Sequence, residues 1–408
     1  MNNLVPSLRF SEFSSEWEVV SIGALVDQKI IEKPMDGNHG NIHPKASDYV
    51  EAGIPFVMSN NIVEGKLCNL GMKYISKCLA DNLQKGFAIE GDVLLTHKGT
   101  IGATALVGSL ETPYIMLTPQ VTYYRVSSPS ELSNRYLLQA FRTPKFQSMM
   151  KRLSASGTRP YVGITEQREL LTSKPSYDEQ QKIADFLTSV DTKISQLTEK
   201  QRLLKEYKKG VMQQIFSQKI RFKDEDGKAF PGWTYESIGK YLEPHNELVR
   251  ADTDIPILTS SRTGLYLQER SVINEGDYGV VPLGHFTYRH MSDDLIFKFN
   301  VNRTWEKGAV SKEYPVFKTV GMDTYFLEVQ LNEGKDFKQF AIQQKQGGTR
   351  TRLYFKNLKE LKLKLPCLKE QQKISQFLQS IDAKIEGVAE QIEQTKQFKK
   401  GLLQQIFV

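Results

Sequence analysis

Cysteine is scarce in this chain. Cys68, Cys78 and Cys367 are the only three in 408 residues. An odd number without metal-ligand spacing argues against a disulfide framework or a zinc site and fits a reducing cytoplasm. No apolar run approaches the ~18 residues of a membrane span, so no membrane partner is expected. The stretch from Met1 to Phe10 has no charged start leading into an apolar core, so a secretion signal is not expected. Six histidines are scattered. His39 and His43 are four apart, but Gly40 and Pro44 disfavour a helix that would aim both at one metal ion.

Catalytic signatures are missing as well. There is no G-x-x-x-x-G-K-[ST] loop for nucleotide phosphates. No Rossmann-type glycine loop follows a strand-like run. The Asn-Pro-Pro-aromatic signature of amino-methyltransferases is absent. Glu64-Gly-Lys66 and Glu333-Gly-Lys335 imitate the tail of a metal-dependent nuclease motif without a preceding aspartate at the right distance, and read as turns between charged residues. Serine, histidine and aspartate occur in no nucleophile setting. The chain reads as non-catalytic, with no cofactor of its own. The formal charge of +7 permits an anionic partner without demanding one.

What is present is a repeat. Residues 179–216 begin Glu-Gln-Gln-Lys-Ile and end Lys-Gly-Val-Met-Gln-Gln-Ile-Phe. Residues 370–407 begin and end in nearly the same way, 191 positions later and without a gap, with 20 of 38 positions identical. The chain is two copies of one unit, each closed by a long helix. In the first helix Ile183, Leu187, Val190, Ile194, Leu197, Gln201, Leu204, Lys208, Val211 and Ile215 alternate spacings of four and three. Ile374, Leu378, Ile381, Ile385, Val388, Ile392, Thr395, Lys399, Leu402 and Ile406 repeat that register. This is a heptad seam. Its apolar stripe needs a cover, and the other copy is the simplest one; packing on separate domain cores is the alternative. Pro175 and Pro366 stop each helix from extending backward. At about 1.5 Å per residue each forms a rod of about 57 Å.

The segments before the helices are rich in glycine, aromatic and β-branched residues. Short runs such as Ile54-Pro-Phe-Val-Met, Asp92-Val-Leu-Leu-Thr and Tyr278-Gly-Val-Val-Pro predict many strands. The predicted class is α+β, with a mixed α/β domain over 1–174, a helical spacer over 175–217, a second domain over 218–365 and a second spacer over 366–408. The domains share only landmarks. Leu8-Arg-Phe and Trp17 echo Ile220-Arg-Phe and Trp233; Ile22-Gly23 echoes Ile238-Gly239; Gly91-Asp92 echoes Gly276-Asp277; Ser156-Gly-Thr-Arg159 echoes Gly347-Gly-Thr-Arg350.

Three stretches suit a polynucleotide. Thr96-His-Lys-Gly-Thr-Ile-Gly102 is a glycine-rich loop with Lys98 and Thr100, where backbone N–H groups can approach phosphates. Gly157-Thr158-Arg159-Pro-Tyr161 matches Gly348-Thr349-Arg350-Thr-Arg352, and arginine reads guanine or clamps phosphate. Thr158 and Thr349 could alternatively be helix caps. Gly284-His285-Phe-Thr-Tyr288-Arg289-His290 mixes donors with aromatics; it lacks the clean glycine spacing of the first loop.

Together these features resemble the specificity subunit of type I restriction-modification enzymes, over essentially the whole chain. The carriers are the two Glu-Gln-Gln-Lys-Ile helix starts after Asp178 and Lys369, and the Val190-Asp191 and Ile381-Asp382 pairs with Lys193-Ile194 and Lys384-Ile385. To these add the Lys-Lys-Gly…Gln-Gln-Ile-Phe closings, Trp17 and Trp233, the Gly91-Asp92…Gly99…Gly102 run and both Gly-Thr-Arg turns. The resemblance implies two target recognition domains, each reading half of a split site on double-stranded DNA. It implies an antiparallel coiled coil related by a pseudo-two-fold, acting as a ruler. The seam at Ile183, Leu187, Val190, Ile194, Leu197, Ile374, Leu378, Ile381, Ile385 and Val388 would pair the helices and help dock two modification subunits. Those would carry S-adenosylmethionine and flip out an adenine. Two restriction (motor) subunits, with ATP and Mg²⁺, would join them for cutting. A coiled-coil scaffold that binds only protein is the alternative of a different class. A self-sufficient methyltransferase or nuclease is the third reading, and the missing motifs speak against it.

Overall fold

A computed structural model describes residues 5–63, 65–155, 160–269, 275–345 and 350–407. It divides into two compact units, Met1–Lys200 with Val388–Val408, and Gln201–Gly387. Each unit therefore contains one domain, part of the long helix that follows it, and part of the other long helix.

In the first unit, strand Glu18–Ser21 pairs antiparallel with Leu171–Lys174, so the domain's opening and closing segments meet just before the first long helix. A four-stranded antiparallel sheet runs in the order Thr100–Leu106, Val93–Lys98, Val121–Tyr124, Met35–Asp36. Its second strand is buried on both faces. Val93 and Leu95 pack with Tyr136, Phe141 and Phe146, while Leu94 faces Val57 and Leu117 on the other side, as the two-residue period of a strand requires. A five-stranded sheet built around Ile54–Val57 and Ile115–Leu117 lies beyond. Helices Asn134–Phe141 and Pro144–Ser154 cover the near face. Ser133 and Thr143 start them by accepting from the backbone N–H groups of Tyr136 and Phe146, the preferred capping chemistry.

The second unit repeats the plan with other strands. Thr234–Ser237 pairs with Lys362–Leu365 before the second long helix. A four-stranded sheet contains Phe286–Tyr288, a three-stranded one is centred on Asp277–Pro282, and helices Thr324–Glu333 and Lys335–Gln343 pack on the core. The strands expected near Ile54, Asp92 and Tyr278 form.

Both long helices are unbroken, Tyr177–Phe216 and Leu368–Gln405. Gln218, in the left-handed region at φ 59°, follows the end of the first. Much of the heptad stripe is covered. Ile183, Leu187, Val190 and Ile194 share a core with Trp17, Leu132, Leu137 and with Leu402, Leu403 and Ile406 of the second helix. Leu197 and Val388 are buried. Ile374, Leu378, Ile381 and the half-buried Ile385 join Met212 and Ile215 in the second unit's core. As sites for docking another subunit, the buried members of this set need correction: their apolar surface is already used inside their own unit. The cover is neither the other helix alone nor the domain alone, but both.

The sequence landmarks meet at the helix starts. Glu179 is fully buried. Arg9 donates to its two oxygens through Nε and Nη2, both at 2.8 Å, and Trp17 Nε1 donates at 3.1 Å. In the second unit Arg221 and Trp233 hold the equally buried Glu370 in the same way, at 3.1, 2.7 and 3.1 Å. The next residue repeats its role too. Gln180 donates to the carbonyl of Pro175 and accepts from Ser133 N–H; Gln371 does so with Pro366 and Asp323. Each closing phenylalanine joins the aromatic cluster of the matching tryptophan. Phe407 lies between Trp17 and Tyr136, and Phe216 contacts Phe326, which contacts Trp233.

A second ionic node lies along each helix. Asp191 accepts from Arg142 at 2.8 Å, Lys399 at 2.6 Å and Gln139 at 3.1 Å. Burial opposes its charge, but the two cations hold its carboxyl below the ordinary range. Asp382, 191 positions later, accepts from Lys208 at 2.7 and 2.8 Å and from the Tyr325 hydroxyl.

Removing the cation from a buried pair leaves an uncompensated charge, at about 3–5 kcal/mol. Arg9→Met should therefore lower unfolding stability by about 3 kcal/mol, and Arg221→Met should act similarly, measured by urea denaturation. A loss below about 1 kcal/mol would mean that Glu179 is not held as a buried anion.

Candidate nucleic-acid interface

In the first unit the strands Val93–Lys98 and Thr100–Leu106 form a tight hairpin. Gly99 makes its turn at φ +79°, and Gly102, at φ +85°, sits where the register shifts. A side chain at Gly102 would run into the amide of Gln147, which donates to the Gly102 carbonyl at 2.9 Å. The hairpin is thereby fixed to the helix behind it while Lys98 and Thr100 stay exposed. Tyr161 lies alongside: it bridges Lys98 across the strands, and the Lys98 ammonium is 5.9 Å from its ring centre. Two stretches far apart in sequence are thus brought together.

Behind this surface sits His97, fully buried. Its Nδ1 is 2.9 Å from the Val162 carbonyl, and its Nε2 has no partner, with the Asp36 carboxylate 4.0 Å away. Asp36 is itself buried, paired with Lys85 at 2.5 Å and His39 at 2.6 Å. Burial pushes the His97 imidazole below its usual pKa, against the raising effects of the Val162 bond and Asp36.

In the second unit the expected residues differ in exposure and pairing. Tyr288 is a correction: it is fully buried, and its hydroxyl donates to the Leu353 carbonyl at 3.1 Å, so it is a core residue rather than a surface contact. His285 is half-buried, packed edge-on against His245, while Arg289 is exposed. Arg350 is exposed and already paired with Asp293 at 2.9 Å. Arg352 is exposed, in a strand pair opposite Met291. Thr158, Arg159 and Thr349 lie outside the described residues. Sequence reading missed Tyr354, exposed and stacked at 6.0 Å on the buried His290. It lies four residues past Arg350, too far from the Gly-Thr-Arg sequence to carry a motif. His97 and His290 were inside the stretches singled out but carried no signal of burial.

Among the described residues no His, Cys, Asp and Glu group could hold a metal, and no helix is long and apolar enough to cross a membrane. The plan is duplicated: each domain is tied to a long helix through a buried glutamate and carries an exposed cation and an exposed tyrosine. The chain's family follows from comparison. Residues 14–206 and 316–397 match the type I restriction modification DNA specificity domain, and the chain belongs to that family, as a type I restriction-modification specificity subunit. The MjaX type I restriction enzyme specificity subunit of Methanocaldococcus jannaschii, a name given there provisionally, is 22% identical over 382 residues, 86% of this chain and 85% of that protein. The fold is similar to that of a type I restriction-modification S subunit from M. genitalium, with a TM-score of 0.60 at 13% identity, over 99% of each chain. A structure from a study of complex assembly and conformational transition of the type I R-M system has a TM-score of 0.51 at 14% identity, over 95% of this chain and 96% of that one.

A histidine buried in its neutral form makes stability depend on pH. With the folded pKa lowered, the unfolded chain binds more protons between that value and about 6.5. Stability is thus full above about 6.5 and falls as the pH drops through this window. His97→Asn should flatten the decline of the urea midpoint between about pH 6.5 and pH 5. The half-buried His43, also lowered, leaves some slope. Equal slopes in variant and wild type would show that His97 does not contribute.

Proposed function

We propose that this specificity subunit reads a bipartite duplex target, one half-site by each domain, and contributes no chemistry of its own. The observation that carries the reading is the duplication: two units with the same helix-start node and different surfaces. A shared frame with divergent faces suits two related recognition tasks. Lys98, Thr100, Tyr161, Arg289, Arg350 and Arg352 offer exposed donors for phosphate or base edges, and Arg159 belongs with them by sequence. The two long helices pair antiparallel as a coiled coil and set the unread spacer. In support, the Asp191–Lys399 and Lys208–Asp382 bridges each join one helix to the other, at positions related by the repeat. Half-sites on one face of B-DNA lie about 34 Å apart, within reach of rods about 57 Å long.

Two modification subunits dock on this frame, bring S-adenosylmethionine and flip out an adenine in each half-site. Restriction subunits using ATP and Mg²⁺ join them where unmodified DNA is cut. The protein works in the cytoplasm, where such DNA is found.

Methylation sequencing of DNA from cells expressing this chain with its modification subunit should give a split motif, with a methylated adenine in each half. Exchanging residues 1–174 for those of a relative should change one half only. Inserting seven residues at equivalent places in both long helices adds about 10 Å and should lengthen the spacer by about three base pairs. No new methylation from a folded complex would favour the protein-only scaffold instead.

DNA affinity should fall steeply with salt if phosphates are contacted, as counterions are released. A flat log–log plot of affinity against salt would exclude direct phosphate contacts.

A further inference from the structure

The two units build one surface arrangement from different sequence positions. Backbone bonds fix the equivalence: Val162 N–H donates to the His97 carbonyl at 3.0 Å, and Leu353 N–H donates to the His290 carbonyl at 2.8 Å. Val162 and Leu353 are 191 positions apart, the shift of the repeat. His97 and His290 thus occupy the same place, and both are buried with one ring nitrogen unpartnered, Nε2 in the first and Nδ1 in the second.

Over each histidine stands an exposed tyrosine. Tyr161, 43% exposed, has its ring centre 5.5 Å from that of His97; Tyr354, 48% exposed, stacks on His290 at 6.0 Å. The two tyrosines are not equivalent by the repeat. Tyr161 corresponds to Arg352, and Tyr354 corresponds to Gly163. At Gly163 a Cβ would lie 3.5 Å from the Tyr161 ring and clash with Glu166. The ring reaches its histidine from position 161 past a glycine in one unit, and from the glycine's own position in the other. The cation is exchanged in the same way. Lys98 pairs across the strands with Tyr161, whereas Arg352 takes the tyrosine's place opposite Met291. Both cations are exposed. Inheritance of sequence would keep residue types at their positions. Here the arrangement persists while the positions change, as expected when a surface is kept for what it touches.

We propose that Tyr161 and Tyr354 are specificity-determining residues, each meeting base edges of its own half-site with its phenol, while Lys98 and Arg352 hold the adjoining phosphate. The inference rests on the reading that the units bind duplex DNA. A phenol hydroxyl both donates and accepts, so it can meet the acceptors of guanine or thymine and the amino groups of adenine or cytosine in the major groove. The buried histidine supports the ring from below and acts as a positioning residue.

The test is selection of bound sequences from a randomised duplex library by the full chain assembled with its modification subunits. Tyr161→Phe keeps the ring on His97 and removes only the hydroxyl. It should reduce discrimination at a position of one half-site about tenfold and leave the other half-site and thermal stability unchanged. Tyr354→Phe should do the converse. Lys98→Ala and Arg352→Ala should weaken binding across all sequences and lower the salt slope by about 1 each. If both phenylalanine variants select the wild-type motif with wild-type discrimination, the tyrosines are merely packing groups and the inference is overturned, while the DNA-binding reading stands. If the wild-type complex selects no motif, that reading fails and the inference with it.

Discussion

A carboxylate with no exposure to water cannot stay charged without partners, and Glu179 and Glu370 are both in that position. Each is met by a two-pronged arginine and an indole N–H, which together satisfy both oxygens. Burying such a group is costly, and the cost is recovered only when the geometry is complete. That condition ties three separate stretches together in each unit: the segment that leads into the domain, the tryptophan that opens it, and the first turn of the long helix. Placed in that turn, the carboxylate also lies at the favourable end of the helix dipole. The neighbouring Gln180 and Gln371 extend the junction to the helix that caps the domain's sheet.

The cores are completed by chain from elsewhere. Phe407 is wedged between Trp17 and Tyr136, and Leu402 and Ile406 share the first unit's core. Met212, Ile215 and Phe216 do the same for the second. The end of each long helix is therefore part of the domain that precedes the other one. This gives a physical reason for the identity of the two Gln-Gln-Ile-Phe closings: Phe407 packs on Trp17, and Phe216 reaches Trp233 through Phe326. The ionic nodes follow the same logic with a difference. Asp191 has two cations, whereas Asp382 has one cation and the Tyr325 hydroxyl. The frame tolerates that exchange because both arrangements satisfy the carboxylate's acceptors.

On this frame the surfaces are free to diverge. The hairpin at Lys98 is braced from behind through Gln147, which leaves its tip exposed. The second unit presents its cation from the strand Thr351–Arg352 and its tyrosine two residues later. A rigid junction with variable faces is a suitable construction for a specificity subunit, whose target must change without loss of the fold.

The sequence by itself determined the duplication, the two long helices, their buried stripe and the family. Those signals are periodic or repeated, and helix periodicity and repeat identity survive without knowledge of any contact. Arg9, Trp17 and Glu179 were legible as landmarks, yet their meeting at one carboxylate was not, because residues 170 apart in sequence carry no sign of contact. The recognition surface was legible in part. Lys98 and Tyr161 stood out one by one, but their adjacency depends on a strand bridge. Tyr288 was misread because an aromatic flanked by polar residues looks the same in sequence whether its strand faces core or solvent. Tyr354 was missed because its role comes from the buried histidine beneath it. Burial and adjacency across strands depend on the packing of distant segments, and only the tertiary structure decided them.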